Sequence, residues 1–166
     1  PAGTNPDMGA IENALSIRAA ITYTVKTDGS GDYTVIQTAI DASTTANGDT
    51  VLVYPGTYTE NINYNGKNIV LGSRYLTTSD TSYISSTTID GQYSAPTVTF
   101  TNPADTTAKL VGFSVIKGIP GIRCNDQSGN TNPVIKNCRI TQNYDYGIVA
   151  DGGNLKIINC DISNNS

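Results

Sequence analysis

The order of apolar and polar positions along this chain repeats. Ile135-Lys136-Asn137-Cys138-Arg139-Ile140-Thr141-Gln142-Asn143 is followed, at an offset of 22 residues, by Ile157-Ile158-Asn159-Cys160-Asp161-Ile162-Ser163-Asn164-Asn165. Leu110, Phe113 and Val115 fall on Ile135, Cys138 and Ile140 at an offset of 25, and Gly121-Ile122 falls on Gly147-Ile148 at an offset of 26. Short alternating segments recurring at this spacing are the mark of a solenoid, in which each coil of chain stacks on the one before. The pattern predicts an all-β chain with parallel strands about 4.8 Å apart, so that like residues lie over like. The predicted core ladder sets Ile140 on Ile162 and Cys138 on Cys160. Asn137 over Asn159 is expected to form an amide ladder that satisfies backbone groups at a tight corner. The main alternative, an antiparallel sandwich, calls for hairpin turns and gives no reason for a recurring Asn-Cys pair.

Upstream, Ile21 to Lys26 alternates as a strand and Asp28-Gly29-Ser30-Gly31-Asp32 is a turn. Thr34 with Gln37 three residues on reads as a capping box, and Ile36, Ala39 and Ile40 form one apolar helical face. The expectation is a short N-terminal helix that caps the first coil. Strand signals continue at Val51/Val53, Ile62/Tyr64 and Ile69/Leu71, whereas residues 73–86 read as a polar loop bulging from one corner. Residues 1–20 lack a clear period and read as an arm or linker, leaving 21–166 as the repeat domain.

Charge and composition narrow the partners. Charged residues make up 14% of the chain and the net charge is −4, which argues against a nucleic-acid partner, since that needs a basic face. There is no apolar run long enough to span a membrane. With three cysteines and no His, a Cys/His zinc site is impossible, and nothing in the sequence requires a metal or cofactor. Cys138 and Cys160 are expected either to stack as buried thiols or to bridge. Asp28/Asp32 and Asp145/Asp151 are the carboxylate pairs that could bind calcium or serve a glycosidase, but Asp in a Gly-rich turn is also ordinary turn chemistry. No residue is assigned a catalytic role. The ten tyrosines, Tyr144 and Tyr146 among them, could stack on sugar rings.

Thr24-Val25-Lys26 through Asp28-Gly29-Ser30-Gly31-Asp32-Tyr33-Thr34-Val35-Ile36-Gln37-Thr38-Ala39-Ile40-Asp41-Ala42 resembles the opening of pectinesterases and other pectin-lyase-like proteins. Gly48-Asp49-Thr50-Val51-Leu52-Val53-Tyr54-Pro55-Gly56-Thr57-Tyr58-Thr59-Glu60-Asn61-Ile62 is similar to their first coil. The resemblance implies a right-handed, single-stranded parallel β-helix, and leaves activity open because that fold hosts enzymes, adhesins and inert spacers alike. Leu71 to Ile84, ending in Thr88-Ile89-Asp90-Gly91, is similar to large secreted bacterial β-helix proteins, which implies an extracellular or cell-surface location. Asp7-Met8-Gly9-Ala10-Ile11-Glu12 resembles the segment that closes such a helix, although here it precedes the repeats. The expectation is a structural protein that assembles head to tail. Met8, Ile11 and Leu15 of the arm would meet Ile157 and Ile162 of the last coil in a contact that need not close into a ring. The partner is then a second copy or an adjacent domain of a longer chain. Polysaccharide binding or degradation is the alternative function.

Overall fold

The computed structural model describes residues 18–101, 103–125 and 131–166. Met8, Ile11 and Leu15, the expected contact residues of the arm, lie outside them. Among the described residues the chain is mostly β and forms three parallel sheets. It opens with strand β1 (Thr22–Val25) and helix α1 (Ile36–Asp41), followed by β2 (Thr50–Val53), β3 (Gly56–Tyr58) and β4 (Ile62–Asn63). Next come β5 (Val70–Ser73), two short helices α2 (Tyr75–Thr78) and α3 (Ser82–Ser86), then β6 (Thr87–Asp90) and β7 (Val98–Thr101). The remaining strands are β8 (Lys109–Val111), β9 (Ser114–Ile116), β10 (Ile122–Asn125), β11 (Val134–Lys136), β12 (Arg139–Thr141), β13 (Ile148–Asp151), β14 (Lys156–Ile158) and β15 (Asp161–Ser163).

The first sheet has the order β1-β2-β5-β8-β11-β14, the second β15-β12-β9-β6-β3, and the third β13-β10-β7-β4. From β2 onward the chain therefore visits first, second and third sheet in turn, and each return pairs parallel with the previous visit. This is consistent with a parallel β-helix. The registers match the sequence offsets: Leu110, Ile135 and Ile157 are partners in the first sheet, Val115, Ile140 and Ile162 in the second, and Ile122 and Ile148 in the third. Alternation then decides which residues face inward. Leu71, Leu110 and Ile135, with Ile89, Val115 and Ile140, are fully buried, and Tyr64 lies against Phe100 with ring centroids 4.2 Å apart. The Tyr64 hydroxyl donates to the Lys109 carbonyl at 2.8 Å, which makes so deep a phenol tolerable.

Two local expectations are corrected. Residues 73–86 are not simply a loop, because α2 and α3 occupy most of that span. The capping box is also absent, since Val35 holds the N-cap position of α1 with no side-chain cap of its own. Glu60, from the corner between β3 and β4, supplies the cap instead: its two carboxylate oxygens accept from the Ile36 and Gln37 amides at 2.9 and 2.8 Å. Gln37 is thereby free to pair with edge strand β4, accepting from the Asn63 amide at 2.7 Å and donating to the Asn63 carbonyl at 3.0 Å. Ile36, Ala39 and Ile40 of α1 are buried.

Candidate assembly face and outer groove

The last described coil, β13 to β15, is the edge of all three sheets. Inward residues elsewhere in the stack are covered by the next coil, but here Ile157 is 45% and Ile162 43% exposed. Cys160, Leu155 and Ile148 of the same coil are only partly buried against the core. Covering an isoleucine fully is worth about 1.5–3 kcal/mol, so this face is costly to leave in water. The opposite end is different in kind: Val25 of β1 is bridged by Tyr33, whose ring meets Tyr23 edge-on, and α1 lies beside β1, β2 and β4.

The Asn and Cys columns run along the stack. Asn137 and Asn159 adopt φ of 52° and 49°, the left-handed conformation that lets the chain turn sharply between first and second sheets, and Asn is one of few residues that accept it readily. Their amides do not form a ladder, because Asn137 Nδ2 donates to the Tyr75 hydroxyl at 2.8 Å. The amide ladder lies six residues on, at Asn143 and Asn165. Asn143 Oδ1 accepts from Gly118 N at 2.8 Å, and Asn165 Oδ1 accepts from Asn143 N at 3.0 Å and from Asn143 Nδ2 at 2.9 Å. Asn143 Nδ2 donates back to Val115 O, and Asn165 Nδ2 to Ile140 O. Each carboxamide thus fastens its coil to the preceding one. By the same step, a following coil would reach Asn165 N–H and Ile162 C=O.

Cys124, Cys138 and Cys160 are free thiols. The Cys138 amide donates to Cys160 Sγ at 3.5 Å. Burial pushes the Cys138 thiol well above the usual range, while hydrogen bonds from Cys138 to its sulfur hold Cys160 below it.

Three of the four acidic turn residues, Asp28, Asp32 and Asp151, are bonded within the fold. Asp28 accepts from the amide and hydroxyl of Ser30, and Asp32 from those of Thr24, which lowers both carboxyls. Asp151 pairs with Arg123 at 2.9 Å. Among the described residues no three His, Cys, Asp or Glu side chains are grouped to hold a metal ion. Asp49, fully enclosed, accepts two bonds from Arg18 at 2.8 Å and further bonds from the Ile21 and Ala46 amides, which lower its pKa to about 2.

Sequence reasoning missed a groove of about 650 Å³ on the outer face of the first sheet. It exists because of two glycines. Leu76 of α2 sits over Gly72, where a Cβ would lie 2.7 Å from Leu76 Cδ2. Tyr75 sits over Gly112, where a Cβ would lie 2.7 Å from Tyr75 Cβ. Helix α2 is thereby laid flat on the sheet and walls the groove, whose floor is the outward rows of β8, β11 and β14. Alternation places Lys109, Val134 and Lys156 in one row and Val111, Lys136 and Ile158 in the next. The same alternation in the sequence held the signal, but only the register makes these lysines neighbours.

No family model and no curated protein matches this chain. Among the described residues no helix is long and apolar enough to cross a membrane.

Proposed function

We propose that the chain is a right-handed parallel β-helix of the pectin-lyase-like kind. It acts as an extracellular structural protein whose last described coil is covered by residues 8–15 of a second copy, or by an adjacent domain of a longer chain. The observation that carries this reading is the exposure of Ile157 and Ile162, whose counterparts one coil earlier are fully buried. A second observation favours the arm as the cover over a simple coil-on-coil stack: α1 and Tyr33 occupy the opposite end. Met8, Ile11 and Leu15 provide apolar side chains for the exposed isoleucines, and an extended segment beside β13, β14 or β15 gains main-chain hydrogen bonds by strand addition. The contact joins two different surfaces, so it propagates head to tail. The bonding of Asp28, Asp32 and Asp151 to neighbouring turns and to Arg123 supports a structural over a carboxylate-based catalytic role.

The test is light scattering after size exclusion over a range of concentrations, on the wild type and on Ile157→Asp/Ile162→Asp. The reading expects mass to grow with concentration in the wild type and to stay monomeric in the variant. A wild type that is monomeric throughout, or a variant that assembles equally, overturns it.

A further inference from the structure

We infer that Cys138 and Cys160 form a dithiol site for low-molecular-weight disulfides, which oxidise it to a covalent link between the last described coil and the one before. The two residues hold the same place in successive coils, each directly ahead of a strand of the second sheet. Arg139 and Asp161 are register partners, and the Asp161 amide donates to the Cys138 carbonyl at 3.0 Å. Paired strands lie about 4.8 Å apart, inside the Cα window of roughly 4.4–6.8 Å that a disulfide spans. Both side chains pack in the same narrow core. Cys160 Sγ leans back over the preceding coil, where it accepts from the Cys138 amide at 3.5 Å and lies 3.6 Å from the Ile135 carbonyl. Cys138 Sγ donates to the Lys136 carbonyl at 3.3 Å and reaches Cys160 by turning about its own Cα–Cβ bond.

Access decides the order of the chemistry. Cys160 is only partly buried on the last described coil, whereas Cys138 and Cys124 are enclosed. The thiol and amide of Cys138 donate to the Cys160 sulfur, which favours its thiolate, and burial keeps Cys138 protonated. The Cys160 thiolate attacks one sulfur of R–S–S–R, forming Cys160–S–S–R and releasing RS−, which takes up a proton. Cys138 then gives its proton to solvent, its sulfur attacks Cys160 Sγ, and the second RS− leaves. Two protein thiols become one disulfide, and one small disulfide becomes two thiols. Cys124 is the internal comparison. It stands in register with Phe100 and Ala150, so the rungs beside it carry no sulfur, and burial pushes its thiol up to about 12. The link lies within one chain and does not depend on what covers the last described coil.

The experiment treats the reduced full chain, kept dilute, with oxidised glutathione and maps the linkages by mass spectrometry of unreduced tryptic peptides. Cleavage after Arg139 separates the two cysteines. A Cys138–Cys160 linked peptide is expected, with Cys124 free, and dithiothreitol should reverse it. Cys138→Ala is expected to stop at a glutathione adduct on Cys160, and Cys160→Ala to take up no glutathione over the same time. In the folded wild type, iodoacetamide should label Cys160 about tenfold or more faster than Cys124. That comparison needs no variant and so holds even where a substitution disturbs folding. A wild type that does not react or that stops at the mixed disulfide, a link through Cys124, or equal labelling of Cys124 and Cys160 would overturn the proposal.

Discussion

Asn143→Ala tests whether the stack is held by its interior amide ladder. The Asn143 side chain is buried and makes four hydrogen bonds: Oδ1 accepts from Gly118 N at 2.8 Å, and Nδ2 donates to Val115 O at 3.2 Å, Thr141 O at 3.1 Å and Asn165 Oδ1 at 2.9 Å. Alanine leaves the Gly118 N–H without its partner inside the protein, at about 1–3 kcal/mol. The lost donor bonds add roughly 0.5–1.5 kcal/mol each before carbonyl lone pairs find other partners. A total near 3 kcal/mol is a large share of the ~5–15 kcal/mol that holds a typical domain together. In a chain of this length it lowers the melting temperature by roughly 6–12 °C. The comparison variant is Asn137→Gly. Glycine accepts the 52° φ freely, and only the bond to Tyr75 is lost, so about 1 kcal/mol or less is expected. Urea denaturation followed by circular dichroism measures both, with equal slopes certifying that the same unfolding is compared. Asn143→Ala within 1 kcal/mol of Asn137→Gly would refute the reasoning. Asn143→Asp adds a check of sign. Its new carboxylate faces three acceptors, so its folded pKa is raised and the variant gains stability relative to wild type as pH falls through that value.

Two further outcomes are expected. Glu60→Ala leaves the first two amides of α1 uncapped and lowers stability by about 1–2 kcal/mol, measured by the same denaturation. Glu60→Gln, which keeps one acceptor oxygen, loses less; an Ala variant as stable as the wild type would show that water caps the helix equally well. For Asp49 the bonds from Arg18 depress the folded carboxyl below its ordinary 3.8 to about 2. Its contribution is therefore present above the ordinary value and is lost as pH falls from there to about 2. Melting temperature plotted against pH should drop across that window in the wild type and less steeply in Asp49→Asn. Parallel curves would contradict the assignment.

The sequence carried the strand register because inward positions alternate and are selected by a narrow core: Leu110, Ile135 and Ile157, or Val115, Ile140 and Ile162, differ little in size and hydrophobicity. Other features depend on residues far apart in the chain. Thr34 and Gln37 have capping-box spacing, but Glu60 reaches α1 from the following circuit and takes that role. Two Asn columns, at 137/159 and 143/165, share one offset. Only backbone geometry separates the left-handed turn residues from the buried carboxamides that bond between coils. The stretch 73–86 hides α2 and α3 because helices of four and five residues are too short to display a period. The lysine groove was invisible for a related reason. Lys109, Lys136 and Lys156 are spread along the chain, and the returns of the first sheet bring them together.

Negative-stain electron microscopy of the purified chain, with and without residues 1–15, tests end-to-end covering of the last coil most directly. The account predicts rods that lengthen with protein concentration for the intact chain and separate short particles once the arm is removed. Short single particles in both samples, or rods of equal length in both, would contradict it.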